Sequence, residues 1–92
     1  MISDIQTQNK GELKVEEYKI KLNTIEEVKD FVDTTKKFNF HIELISGRYV
    51  VDAKSILGIF SLDLTKELTL KTYRANEDEL NEFYNEVYKY KA

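Results

Sequence analysis

The segment Lys54-Ser55-Ile56-Leu57-Gly58-Ile59-Phe60-Ser61-Leu62 decides how this chain is interpreted. It is short and apolar, it follows a serine, and it carries a glycine near its middle. A serine before an apolar run is a preferred helix N-cap, because its hydroxyl accepts a hydrogen bond from one of the first free backbone N–H groups. These features favour a short capped helix over a buried strand, although the periodicity of so short a run fits both.

Upstream of this segment, two runs typical of strands lie on either side of Ser46-Gly47. In the first run, Phe38, Phe40, Ile42 and Leu44 alternate with side chains that are mostly polar. The second run, from residue 48 to residue 52, is again rich in β-forming residues. Two such runs around a Ser-Gly turn predict a β-hairpin.

Further strands and helices are predicted before the hairpin and after the short helix. Alternation predicts strands from Val15 to Leu22 and from Glu67 to Tyr73. Asn23 or Thr24 caps a first helix and Asn76 a last one, each with a glutamate three residues later. Their predicted apolar stripes are Ile25, Val28, Phe31, Val32 and Thr35 in the first, and Leu80, Phe83, Tyr84, Val87 and Tyr88 in the last. The tyrosines Tyr84, Tyr88 and Tyr90 are expected at the edge of the core. The order β-α-β-β-α-β-α, with one apolar face on each of the four strands and helices to cover that face, predicts an α+β two-layer domain.

Composition narrows the class of function. The 92 residues carry a net charge of −3, which argues against nucleic acid as a direct partner because phosphate binding needs a basic face. There is no cysteine, so thiolate metal sites and a thiol nucleophile are excluded. No apolar run approaches the roughly 20 residues that span a bilayer. We expect a cytoplasmic protein with no membrane contact, a flexible polar arm at residues 1–13 and one domain at residues 14–92.

The quoted segment resembles the Lys-Ser-Ile-Met-Gly-Val-Met-Ser-Leu segment of HPr, the phosphocarrier family of the bacterial sugar phosphotransferase system. With the surrounding strand and helix pattern, the resemblance covers about residues 15 to 90. It implies the α+β fold of the HPr-like open-faced β-sandwich, a four-stranded antiparallel sheet with three helices on one face. It also implies that Ser55 is a regulatory phosphosite and that Ile56, Leu57 and Phe60 form an exposed patch for partners. The plainer alternatives are a serine that only caps a helix and apolar side chains that only pack into the core.

The resemblance fails at the residue that accepts phosphate in HPr. That family carries Gly-Ile-His-Ala-Arg-Pro between its first strand and first helix. In the same register this chain has Thr24 at the histidine position, Glu26 at the arginine position and Glu27 at the proline position. Carboxylates at this helix start repel a phosphoryl group. His41 is the only histidine, and alternation places it on the solvent face of its strand.

We expect neither metal binding nor acid–base catalysis from the two acidic clusters of the sequence. Carboxylates are favoured in the first turn of a helix, so both are expected to be solvated helix faces. They are Glu26, Glu27, Asp30 and Asp33 in the first helix, and Glu77, Asp78 and Glu79 in the last.

These observations favour a non-catalytic, HPr-like regulatory or interaction module. The missing histidine and the retained serine are similar to the pattern of the Crh paralogues, which act as corepressors. The implied partners are proteins, such as HPr kinase or a transcriptional regulator, and no cofactor or metal is expected. One alternative is a degenerate phosphocarrier that uses His41 as its acceptor. Another is a structural domain that dimerises through the short helix, and the expected state is a monomer or a weak homodimer.

Overall fold

The computed structural model describes residues 14–92, and the predicted arm at residues 1–13 lies outside them. Four strands and three helices follow one another in the predicted order. The strands are β1 (Lys14–Ile20), β2 (His41–Ser46), β3 (Tyr49–Asp52) and β4 (Leu68–Ala75). The helices are α1 (Ile25–Thr35), α2 (Ile56–Phe60) and α3 (Glu77–Val87), and a 3-10 turn (Tyr88–Tyr90) follows α3.

The strands form one antiparallel sheet in the order β1-β4-β2-β3. The predicted hairpin joins β2 to β3, where Ser46 pairs with Tyr49. Gly47 opens this two-residue turn with φ 60°, a conformation that glycine adopts without steric cost. The alternation predicted from Phe38 onward is confirmed, because Phe38, Phe40, Ile42 and Leu44 are all buried.

One face of the sheet is covered by helices and the other is open. The covered face contributes alternate residues of the strands, which meet the apolar stripes of α1 and α3 in one core. The core residues from the sheet and the two long helices are Ile20, Ile42, Leu44, Leu68, Leu70, Val28, Phe31, Val32, Leu80, Phe83 and Val87. Phe83 of α3 contacts Phe38 and Phe40, with ring centroids 5.2 and 5.6 Å away.

Two residues of the predicted apolar stripes, one at the start of α1 and one after α3, are exposed and not buried. Ile25 was expected to be buried, but it is the first residue of α1 and 58% of it is exposed. Tyr88 was expected on the α3 stripe, but it is 55% exposed. The backbone tightens into the 3-10 turn at this point, so the ring of Tyr90 is buried instead of that of Tyr88.

A β-bulge lies where β1 begins. Lys14 pairs with Ala75 and Glu16 with Thr72, so Val15 alone faces both Tyr73 and Arg74. Arg74 takes a φ of 59°, in the left-handed region that disfavours side chains with a Cβ. At the other end of β1, the C-terminal residues pair with the strand's outer edge: Lys21 N donates to Tyr90 O at 2.8 Å and Ala92 N to Lys19 O at 3.0 Å.

Candidate docking surface around Ser55 and the start of α1

The start of α1 holds the three residues that replace the phosphate-accepting motif. Thr24 is the N-cap, and its Oγ1 accepts a hydrogen bond from Glu27 N at 3.0 Å. The Glu27 carboxylate accepts in turn from Asn23 N at 2.7 Å. Two of the backbone donors at this helix start, Asn23 N and Glu27 N, are therefore bonded to the chain's own side chains and not to an anion. Glu26 is exposed beside them, which adds a negative charge to the same helix end.

A cavity of 270 Å³ joins this helix end to α2. Thr24 and Ile25 line it on one side, and Phe60 and Leu64 on the other. Lys21 also lines it, and its Nζ donates to Asn23 Oδ1 at 2.9 Å and to Leu64 O at 3.0 Å. The cavity thus connects the start of α1 with Phe60, one of the three residues of the predicted patch.

Ser55 is the N-cap of α2. Its backbone is extended, and its Oγ accepts a hydrogen bond from Gly58 N at 3.1 Å. A Cβ on Gly58 would lie 3.2 Å from this Oγ and 3.2 Å from Cβ of Val51, so glycine permits the close approach of α2 to β3. The side chain is half-buried, and its hydroxyl is the atom that a kinase would modify.

The turn before Ser55 is held by three hydrogen bonds. Ser55 N donates to Asp52 O at 3.0 Å, and Lys54 N donates to Asp52 Oδ1 at 2.8 Å. The Lys54 ammonium is occupied as well, because it donates to Phe38 O at 2.6 Å. Ser55 is therefore presented from a well-tethered turn.

The three apolar residues of the predicted patch differ in exposure. Leu57 is 80% exposed and Phe60 is 41% exposed, whereas Ile56 is half-buried and packs against the core. Ile59 and Leu62 are buried and attach α2 to the rest of the molecule. The exposed apolar surface next to Ser55 therefore consists of Leu57 and Phe60, and it continues through the cavity to Ile25.

Sequence reasoning missed two residues of this surface. Ile25 was assigned to the buried stripe of α1, since helical periodicity does not show where the sheet ends. Lys21 falls within the strand predicted from Val15 to Leu22, and nothing in that pattern indicates that its ammonium contacts Leu64 O.

His41 lies on the open face of the sheet, as predicted, on the side away from the helices. Its Nε2 is 2.9 Å from Glu43 Oε2, and the Tyr73 hydroxyl donates to Glu43 Oε1 at 2.8 Å. The hydrogen bond from His41, then that from Tyr73 and nearby positive charge, hold the pKa of Glu43 below its usual value. The sheet therefore separates the one histidine from the surface around Ser55.

The residues of the two acidic clusters lie exposed or partly exposed on their helices, and Asp30 also makes structural contacts. Asp30 accepts a hydrogen bond from the Tyr90 hydroxyl and pairs with Lys89 at 3.0 Å, and these contacts, in that order, lower the pKa of Asp30. Asn76 caps α3 by accepting from Glu79 N at 2.8 Å.

Among residues 14–92, no three histidine or acidic side chains come close enough to hold a metal ion. Within the same range, no helix is long and apolar enough to cross a bilayer.

The architecture is that of the HPr-like open-faced sandwich: a four-stranded antiparallel sheet with three helices on one face. The chain is similar to the crystal structure of HPr-C-His from Thermoanaerobacter tengcongensis, with a TM-score of 0.61 and 27% sequence identity. The match covers 82% of this chain and 90% of that one. No family model matches the sequence, and no curated protein matches it.

Proposed function

We propose that this chain is a non-catalytic, HPr-like regulatory or interaction module of the phosphotransferase-system type, which lacks the phosphorylatable histidine. Ser55 is its regulatory phosphosite, and Leu57 and Phe60, with Ile56 beneath them, form its docking patch. The observation that carries the proposal is the exposure of Leu57 and Phe60 on the helix that Ser55 caps. Large apolar side chains exposed together beside a modifiable residue are typical of a partner site.

The start of α1 supports a role without phosphate transfer through the usual position. Thr24 supplies a capping hydroxyl there and not an imidazole, and Glu27 occupies the neighbouring backbone donor. Phosphorylated Ser55 would carry about −1.5 to −2 charge at neutral pH next to the apolar patch. That charge would change which partners bind. As in the Crh paralogues, the partner would be HPr kinase or a transcriptional regulator in the cytoplasm.

Binding of the full chain to HPr kinase, measured by calorimetry, tests the patch. We predict that Leu57→Ser weakens binding by about tenfold, because an exposed leucine that becomes buried at an interface contributes roughly 1.5 kcal/mol or more. The melting temperature should not change, since Leu57 is 80% exposed. The matched control is Tyr49→Ser, which alters a 71% exposed residue on β3 and should leave binding unchanged. Equal affinities for the wild-type chain and Leu57→Ser would refute the patch.

A degenerate phosphocarrier is the second candidate function, with His41 as its acceptor. The contact of Nε2 with Glu43 favours it, because a carboxylate that holds one ring nitrogen leaves the other free to act as a nucleophile. The same carboxylate opposes it by repelling an incoming phosphoryl group. A label from phosphoenolpyruvate and enzyme I that is lost in His41→Ala would favour this candidate over the first.

A further inference from the structure

The outer edge of the sheet at β3 carries exposed side chains and an open backbone. β3 is the last strand in the order β1-β4-β2-β3, so only one of its sides is paired. Tyr49 is 71% exposed and Val50 is 53% exposed, which leaves an aromatic and a β-branched side chain in contact with water. Arg48 precedes them in the hairpin turn and Asp52 follows them, and both are exposed as well. An edge strand of this kind can pair with a further strand.

The backbone of β3 directs the polar groups of Val50 to its open side. Ala53 N donates to Ile42 O at 2.9 Å, so Ala53 directs its backbone groups towards β2. In an antiparallel pair, the residues whose backbone groups face the partner strand alternate along the chain. Val50 and Asp52 are out of phase with Ala53 and therefore direct their N–H and C=O groups outward. Asp52 O accepts from Ser55 N, but no backbone group of residues 14–92 bonds to Val50 on this side.

The charges at the two ends of β3 are opposite in sign, and each can take a further partner. Arg48 makes no ion pair with any residue of the described range. Asp52 accepts from Lys54 N through Oδ1 at 2.8 Å, which leaves its second carboxylate oxygen for another donor. On the open face, Asp52 stands opposite Glu43 of β2, so two carboxylates are neighbours there. A cation on the outer side of Asp52 would offset their repulsion.

This edge is complementary to itself in antiparallel pairing. A two-fold axis at Val50 sets this residue against its own copy, and the two then exchange a pair of backbone hydrogen bonds. The same register sets Arg48 against Asp52 on both sides of the axis. It also sets Tyr49 against Val51. Opposite charges, and aromatic with β-branched side chains, are favourable cross-strand pairs. Moving the axis by one residue in either direction sets Val50 against a charged residue and loses both ion pairs.

α2 leaves this edge accessible. The helix packs on Val51 from the covered face of the sheet, where a Cβ on Gly58 would lie 3.2 Å from Cβ of Val51. Val51 is half-buried there, whereas Tyr49 and Val50 stay exposed. Because cross-strand partners share a face, the Tyr49 ring of a second copy would cover the part of Val51 that α2 leaves open.

We propose that the outer edge of β3 binds the same edge of a second copy of this chain, with a two-fold axis at Val50. The four strands of each copy then join into one continuous sheet. The occupant is a second copy because the strand itself supplies the matching order of charges, positive before the apolar residues and negative after them. Since β3 has only four residues, the contact is small and the association is weak.

Charge substitution at the axis tests this pairing by light scattering on the full chain. Between about 10 µM and about 1 mM, the average mass of the wild-type chain should rise towards that of a dimer. Val50→Lys and Val50→Glu should each weaken self-association by about tenfold or more, because each sets like charges against each other at the axis. An equimolar mixture of the two variants should restore association, since opposite charges then meet. The matched control is Val15→Lys, which changes a 56% exposed valine on β1 and should associate like the wild-type chain.

Three outcomes would overturn the proposal. The first is a wild-type chain that stays monomeric at about 1 mM, which would leave the edge to a different partner. The second is unchanged association of Val50→Lys together with loss of association in Leu57→Ser, which would assign the dimer to α2. The third is a mixture of the two Val50 variants that stays monomeric. Their melting curves should match that of the wild-type chain because Val50 is exposed, so lost association is distinguished from lost folding.

Discussion

Thr72 lies on the central strand β4 with its side chain fully buried, and its hydroxyl has no hydrogen-bond partner among residues 14–92. A buried hydroxyl without a partner costs free energy, because it loses its hydrogen bonds to water without replacement. Thr35 is the contrasting case. It is equally buried, but its Oγ1 donates to Val32 O at 2.7 Å.

Replacement of each threonine by valine, which has nearly the same shape, separates the two cases. We predict that Thr72→Val raises the free energy of unfolding by about 1 kcal/mol, because it removes an unsatisfied hydroxyl. Thr35→Val should lower it by about 1 kcal/mol, because it removes a hydrogen bond that is made. Urea denaturation of the two variants measures both changes. A loss of stability in Thr72→Val would mean that its hydroxyl is bonded in the folded protein.

At the scale of elements, β2 and β4 are linked on the open face by the contacts of Glu43 with His41 and Tyr73. Lys71 also faces this carboxylate and helps to lower its pKa. Since the pKa of Glu43 is lower in the folded state, its ionised form stabilises the fold above the unfolded pKa of about 4.3. This contribution is lost as the pH falls through the lowered folded-state pKa.

The pH dependence of stability in a Glu43→Gln variant tests this network. We predict that the wild-type chain has the higher melting temperature at pH 5 and above, and that the difference shrinks as the pH falls through the lowered folded-state pKa of Glu43. The matched control is Glu67→Gln, at an exposed position before β4. A difference between the wild-type chain and Glu43→Gln that stays constant from about pH 6 to about pH 3 would contradict the assignment.

The elements were predicted more reliably than their ends. Alternation from Phe38 to Leu44 assigned the buried face of β2. Side chains of a strand point alternately to its two faces, and the apolar side chains identify the face that is buried. The caps Ser55 and Asn76 were predicted because their chemistry is local, and Thr24 was one of two candidates for the first helix. The bulge at Val15 and Arg74 was not predicted, because a register shift depends on the partner strand and not on the local sequence.

At the scale of the whole molecule, the layered fold could be predicted from the sequence, but the cavity that connects the start of α1 with the end of α2 could not. The order of strands and helices implies one covered face of the sheet. The contact of Lys21 with Leu64, and the exposure of Ile25 beside Phe60, depend on how the layers end in three dimensions. The fold therefore separates the patch beside Ser55 from the open sheet face with His41, and only the second of these was placed by alternation in the sequence.

The central claim is that Ser55 is a regulatory phosphosite, and the most direct measurement is the intact mass of the full chain after incubation with ATP and HPr kinase. We predict a gain of one phosphate, about 80 Da, that the Ser55→Ala variant lacks. Because Ser55 also caps α2, melting curves of the variant should first establish that it is folded. An unchanged mass, with authentic HPr labelled in parallel, would contradict the claim and leave Ser55 as a helix cap.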